Sequence, residues 1–225
     1  MPGQQLIPRP AGARPGAPPP WADLGPDATR GVTMERVRAS LELQGPATSE
    51  PVTGLEVASA REAGVLVPLF EEAREARVVL TRRAAHLRSH TGEVAFPGGR
   101  LEPGEEPVAG ALREAHEEVG LDPAEVEILG SLAPLQTVSS GSRITPFVGA
   151  LGRRPPLAPN PAEVARIFDV SLAELVSDGV YREERWDLPG LEDRPMHFFE
   201  LADETVWGAT ARILMELLEL VVGAA

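Results

Sequence analysis

The chain contains no cysteine and no lysine. Without cysteine there is no disulfide framework, no thiolate metal site and no cysteine nucleophile. All 21 basic residues other than histidine are arginine; beside the heavy use of alanine, glycine and proline, this reads as composition bias of the genome, not as chemistry. No stretch approaches the roughly 18 apolar residues of a membrane-spanning helix. The N-terminus also lacks the basic segment leading into an apolar one that marks a secretion signal. A soluble cytoplasmic protein with no membrane partner is expected. Positive charge is scarce as well, with 34 acidic residues against those 21 arginines and a net charge of −13. This argues against nucleic acid as the main partner, because phosphate backbones need a basic footprint. It leaves room for a small anionic substrate, since metal ions and a few local arginines can reverse the field at a site.

At 225 residues, 43% of them hydrophobic, the chain can fill one well-packed domain with extensions. Residues 1 to about 30 are dense in proline and glycine, with Pro18, Pro19 and Pro20 in succession, and read as a disordered or extended tail. Thr33 can cap a helix over Met34 to Leu43, with Met34, Val37 and Leu41 facing inward. Gly45 to Gly54, holding Pro46 and Pro51, reads as a linker. The expected organisation is therefore a tail, short helix and linker over 1–59, followed by a compact domain over 60–225.

Within that domain, Val65 to Phe70 and Ala76 to Thr81 read as a β-hairpin around the polar run Glu71 to Glu75. Glu93 to Pro97 is a third strand. Val126 to Leu132 and Ile144 to Leu151 flank the Ser139–Ser142 loop, and Val164 to Val170 and the short helix Leu172 to Val176 follow. Tyr181 to Leu188 pairs with Met196 to Leu201 around Pro189 and Gly190. Trp207 to Val222 is a helix whose Ala211, Leu214, Leu217, Leu218 and Val221 form a core stripe. Strands on both sides of two principal helices suggest a mixed sheet between helical layers.

The most informative stretch is Gly99 to Leu121. Pro107 suits a first helical turn, Val108, Ala111, Leu112, Ala115 and Val119 share one face, and Gly120 can close the helix. Glu114, Glu117 and Glu118 gather on another face, where they repel one another. A cation can turn that repulsion into binding, and carboxylate oxygens select hard ions such as Mg²⁺ or Mn²⁺. Glu105 and Arg113 can pair to tie the preceding loop to the helix.

Gly99, five residues, Glu105, seven residues, and then Arg113-Glu114-Ala115-His116-Glu117-Glu118-Val119-Gly120-Leu121 resemble the Nudix box, G-x5-E-x7-R-E-U-x-E-E-x-G-U, at every specified position. The resemblance implies an α/β fold, the Nudix α/β/α sandwich with a mixed β-sheet and a loop–helix–loop metal site. It also implies metal-dependent hydrolysis of a nucleoside diphosphate linked to another group. Glu114 and Glu118 would be the firmest metal ligands, Glu117 would complete the set, and the cofactor would be Mg²⁺ or Mn²⁺. Glu117 is the first choice as general base and Glu163 the second. Gly98 and Gly99 would allow a tight turn and close backbone approach to substrate.

Just upstream, Leu80-Thr81-Arg82-Arg83-Ala84, then Arg88, Gly92 and Phe96-Pro97-Gly98-Gly99, resemble the motif L-T-x-R-[SA]-x3-R-x3-G-x3-F-P-G-G of coenzyme A pyrophosphatases. Asn160 to Val164 and Val206 to Ala211 resemble the same subfamily. Arg83 and Arg88 occupy the motif's fixed arginine positions and Arg82 a variable one, all three being candidate phosphate contacts. The implied reaction is cleavage of CoA, or of acyl- or oxidised CoA, to 3′,5′-ADP and 4′-phosphopantetheine. Alternatives are a Nudix pyrophosphatase acting on ADP-ribose or NADH, and a non-catalytic nucleotide-binding Nudix module. Either a monomer or a homodimer fits the sequence.

Overall fold

The computed structural model of the chain describes residues 5, 7–25, 29, 31–45, 61–87, 91–137 and 141–223. Arg88, His90, Ser139, Ser140 and the expected linker beyond Gly45 lie outside the described residues. In chain order the elements are β1 (Arg14–Pro15), α1 (Met34–Gln44), β2 (Arg61–Glu72), β3 (Glu75–Arg83), β4 (Val94–Ala95), β5 (Gly98–Arg100), α2 (Pro107–Val119), β6 (Val126–Ser131), β7 (Leu135–Gln136), β8 (Ser142–Leu151), β9 (Val164–Ser171), α3 (Leu172–Leu175), β10 (Tyr181–Leu188), β11 (Leu191–Glu200), β12 (Thr205–Trp207) and α4 (Gly208–Gly223).

The larger sheet is mixed, with the path β4-β3-β2-β8-β6. Its centre is β2, which pairs in parallel with β8 from Arg61↔Ser142 to Phe70↔Leu151. A strand buried on both faces reads as a continuous apolar run, and Val65-Leu66-Val67-Pro68-Leu69-Phe70 is that run. Pro68 would normally disqualify a central strand. Here the opposite edge of β2 changes partner, from β5 at Ala63–Val65 to β3 at Leu69–Glu72. N–H groups alternate along a strand, so the missing one falls on the same edge as that of Leu66, which donates to Pro97 O at 2.8 Å. Pro68 occupies the gap between two partners. The β2–β3 hairpin forms as expected, and β9 adds to the other edge of β3.

Helix α2 covers one face of this sheet. Ala111, Ala115 and Val119 pack with Leu66, Phe70, Val79 and Val164. Close approach is possible because Gly64 lies beneath: a Cβ there would stand 2.3 Å from Pro107 O. The other face carries the larger core with α1 and α4, and the expected α4 stripe is fully buried. Thr33 caps α1 by accepting from Arg36 N–H, and Arg36 in turn donates to Val221 O at 2.7 Å at the end of α4. The core thus crosses from the N-terminal segment into the later domain.

Two expectations are corrected. Of the disordered or extended tail that was expected, residues 7–25 take the extended form in part and are docked on the domain. β1 pairs with β10, making a second, antiparallel sheet of order β1-β10-β11-β12. Arg9 binds Glu184 at 2.8 Å, and Trp21, 4% exposed, packs edge-on against Tyr181. Burial of one large ring outweighs the proline and glycine content on which the tail reading rested. Trp207 is also the end of a strand, not the start of the last helix, which begins at Gly208 with φ +63°.

Candidate active site

The site is built where β5 turns into the loop that feeds α2. Gly98 and Gly99 cross β2 at Val65 and Gly64. Gly98 has φ +150°, and a Cβ there would stand 2.5 Å from Gly64 O. Gly99 lies directly under Glu114, whose carboxylate would be 2.5 Å from any Cβ at that position. Gly98 is therefore required by contact and by its backbone conformation, whereas at Gly99 the contact is with the end of a side chain.

Arg113 is the hub of the loop. Its Nε and Nη2 donate to the two oxygens of Glu105 at 2.9 and 3.0 Å, the pair anticipated from the sequence. Glu105 also accepts from the Glu102 N–H at 2.8 Å. Together these bonds, those from Arg113 first, hold its carboxyl down at about 2. The Arg113 fork continues to Arg100 O, and Nη1 reaches Glu114 at 3.0 Å and Glu117 at 3.2 Å.

Glu118 has a different environment. It is 3% exposed and accepts from the Gly98 N–H at 3.1 Å. Arg83 Nη1 stands 3.6 Å from its other oxygen. Burial pushes the Glu118 carboxyl up to about 7, against the pull of the Gly98 N–H and Arg83, and the nearby charges of Glu163 and Glu114 raise it further. Glu114 is raised for the same leading reason, with Arg113 opposing and Glu117 and Glu163 adding. Glu163 comes from the turn before β9, where the Asn160 side chain accepts from Ala162 N–H, Glu163 N–H donates to Asn160 O, and Glu163 O accepts from Ala84 N–H. That turn is tied to α2 by Asn160 N–H donating to Glu118 O at 2.8 Å.

The structure thus brings Glu114, Glu118, Glu163, Arg83 and the Gly98–Gly99 turn together, with the more exposed Glu117 at the margin. Arg82 is not with them. Successive side chains of a strand face opposite sides, and Arg82 pairs with Glu204 at 3.2 Å on the other face of the sheet. Glu204 and Arg166 carried no motif in the sequence; only the period-two alternation could have separated Arg82 from Arg83. An open cleft of about 460 Å³ lies outside the loop, between Arg61, Glu62 and the 100–105 turn, and none of the clustered carboxylates lines it.

This donor set suits a hard divalent cation. It is all oxygen, and a buried carboxylate drawn towards neutrality beside two others gains from positive charge. Among the described residues, no three acidic or imidazole side chains already stand in a ligating arrangement. Glu114 and Glu117 instead lean on Arg113.

The NUDIX domain family matches residues 60–190. The chain belongs to the Nudix family. An uncharacterized Nudix hydrolase, NudL, of Photorhabdus laumondii subsp. laumondii is 43% identical over 162 residues, covering 72% of this chain and 85% of the relative. A NudL of Yersinia pestis (strain Pestoides F) is 39% identical over 165 residues, covering 73% and 81%. Among solved structures, a MutT/nudix family protein from Enterococcus faecalis superposes with a TM-score of 0.52 at 16% identity, over 85% of this chain and 75% of that one, which bears on the fold alone. The Nudix α/β architecture is therefore established. The family acts on phosphoanhydride bonds of nucleotide derivatives and generally uses divalent ions such as Mg²⁺ or Mn²⁺.

Proposed function

We propose that this Nudix hydrolase cleaves the diphosphate of coenzyme A, or of acyl- or oxidised CoA, to 3′,5′-ADP and 4′-phosphopantetheine. The observation that carries the reading is the position of Arg83. The motif's fixed arginine stands 3.6 Å from the most buried carboxylate of the cluster, and its buried Nε has no hydrogen-bond partner. A buried N–H without a partner is costly, and a phosphate oxygen would satisfy it.

Glu114 and Glu118 would hold Mg²⁺ or Mn²⁺, with Glu117 released from Arg113 to complete the set. When bound, such ions neutralise a diphosphate and lower the pKa of a coordinated water. The Arg83 guanidinium orients the diphosphate through paired N–H bonds. Gly99 lets the backbone approach without a Cβ in the way. Glu117, at the margin, or Glu163, opposite, takes the proton of the attacking water; Glu117 is our first assignment because it belongs to the box. Glu105 and Arg113 keep the loop closed onto the helix.

The test is mass-spectrometric product analysis after incubating the full chain with CoA and Mg²⁺ or Mn²⁺ in H₂¹⁸O, beside ADP-ribose and NADH. The two CoA products are expected, with ¹⁸O marking the phosphorus attacked, and both are lost in Glu117→Gln. Intact CoA beside cleaved ADP-ribose would keep the chemistry and reject the substrate.

A further inference from the structure

The ladder between β3 and β9 ends at the candidate active site. Its last pair is Arg83↔Val164, after a shift in register between Arg82 and Arg83. Past that pair, β3 runs into the loop towards β4, and the chain entering β9 is the Asn160–Glu163 turn. Two bonds still join these segments beyond the ladder. Ala84 N–H donates to Glu163 O at 2.8 Å, and His86 Nε2 lies 2.9 Å from Ala162 O. A carbonyl only accepts, so Nε2 carries the hydrogen, in a neutral ring and in a charged one alike. The loop that presents His86 is shaped on its own account. Leu87 N–H donates to Ala84 O at 3.3 Å, the Thr91 hydroxyl donates to Leu87 O at 2.8 Å, and Gly92 has φ +67°.

Glu163 needs holding. Its charge raises both Glu114 and Glu118, so it stands near them, and like charges repel. Among the described residues its own carboxylate has no hydrogen bond or ion pair. Its place is therefore set by the backbone of the turn. Glu163 N–H donates to Asn160 O at 3.0 Å, Asn160 N–H donates to Glu118 O at 2.8 Å, and Asn160 Oδ1 accepts from Ala162 N–H at 3.1 Å. Among the described residues, His86 is the one side chain outside the turn that bonds to it. His86 is exposed, and a hydrogen bond open to water adds little to folding. Its use lies in where it puts the turn.

We propose that His86 is a positioning residue for hydrolysis: its Nε2–H bond to Ala162 O fixes the turn so that Glu163 stays directed at the Glu114–Glu118 cluster. The inference rests on the hydrolytic reading above and gives Glu163 a part in the reaction beside Glu117. It does not depend on which diphosphate is cleaved. His86 itself touches neither substrate nor metal.

The experiment is a double-mutant cycle on the full chain. Initial rates are measured on CoA, ADP-ribose and NADH with Mg²⁺, beside hydrogen–deuterium exchange of residues 160–164, which needs no turnover. His86→Ala is expected to lower kcat about tenfold, as loss of a group behind a metal site does. KM should change by less than about twofold and the thermal midpoint by no more than about 2 °C. His86→Gln should regain most of the rate, because its amide N–H can reach the same carbonyl. In a Glu163→Gln background, His86→Ala should cost less than about twofold more, since both changes act on one group. Exchange over 160–164 should quicken in His86→Ala and slow again in His86→Gln. A loss that persists undiminished in Glu163→Gln overturns the proposal, as does a rise in KM in place of the fall in kcat. So does a His86→Gln no faster than His86→Ala, or exchange that His86→Ala leaves unchanged. The two readings fail separately. Intact CoA beside cleaved ADP-ribose or NADH rejects the substrate and moves the cycle to the compound that is cleaved. CoA cleavage untouched by His86→Ala keeps the substrate and removes the role of His86. Turnover of none of the three rejects the hydrolytic reading and, with it, the catalytic purpose of the bond.

Discussion

The backbone N–H of Gly98 donates to Glu118 at 3.1 Å, so the turn that opens the loop feeding α2 is held by one of the proposed metal ligands. Glu118→Gln keeps the shape and leaves an amide oxygen for that N–H. It removes a charge whose burial is unfavourable. Hydrolysis is expected to fall at least about a hundredfold, the upper range for disturbing a metal's surroundings, while the thermal midpoint stays level or rises. Initial rates with Mg²⁺ and a calorimetric scan decide this. A variant retaining more than about a tenth of the rate would remove Glu118 from the metal set.

The Glu105–Arg113 pair predicts an acid limb. With its folded carboxyl held at about 2 and an unfolded value near about 4.3, Glu105 binds its proton more readily in the unfolded chain. Its contribution to stability is therefore complete above the unfolded value and is lost as pH falls through about 2. Denaturant midpoints of the wild type should drop between those values more than those of Glu105→Gln. Parallel curves would mean that the pair contributes nothing to folding.

These local relationships were the legible part. Glu105, Arg113 and the three helix carboxylates sit within one short stretch, so spacing alone placed them. The β2–β3 hairpin, α1 with its Thr33 cap and the buried stripe of α4 followed from periodicity for the same reason. What escaped was long-range. Nothing near Arg14 or Trp21 signals that they meet β10, more than 150 residues on. Glu204 is a lone carboxylate in a turn, visible as a partner of Arg82 only once two sheets are set side by side. Arg82 and Arg83 looked like one patch because they are neighbours in sequence, although a strand sends them to opposite faces.

The docked N-terminal segment is testable by size of effect. Trp21 is 4% exposed and its ring centroid lies 5.3 Å from that of Tyr181. Trp21→Ala should cost about 3 kcal/mol, as for other large aromatic truncations in cores, read from urea unfolding. A loose tail would give no change, and a loss below about 0.5 kcal/mol would return the segment to that description.

His197 predicts a second pH effect with the same sign from a different cause. It is 6% exposed. Burial first, and then the charges of Arg212, Arg185 and Arg194, lower it to about 4. Glu183 lies 3.8 Å from Nδ1 but is engaged by Arg185 at 2.9 Å and by the Ala17 N–H at 3.1 Å, so it does not offset the burial. The neutral ring is retained in the fold, with Tyr181 O–H 2.8 Å from Nδ1. Because the unfolded chain takes up the proton first, stability is full above about 6.5 and lost as pH falls towards 4, by about 3 kcal/mol at the end. His197→Phe should flatten this slope. An unchanged slope would place the acid sensitivity elsewhere.

Gly64 and Gly99 sit side by side in the sheet but should fail differently on substitution by alanine. At Gly64 the new Cβ would meet Pro107 O at 2.3 Å, a backbone atom that moves only if α2 lifts from the sheet. Gly64→Ala should therefore lower the thermal midpoint by many degrees, as overpacking does when the neighbour cannot yield. At Gly99 the Cβ would meet the carboxylate of Glu114 at 2.5 Å. That is the far end of a flexible side chain, which can turn aside with the fold intact. Gly99→Ala should keep most of its stability and lose activity by tens of fold, partly regained at higher Mg²⁺, because the displaced group is a proposed metal ligand. Calorimetry beside a metal titration of the rate separates the two variants. If Gly99→Ala proved as unstable as Gly64→Ala, the contact between Gly99 and Glu114 would be a packing constraint rather than the seat of the ligand.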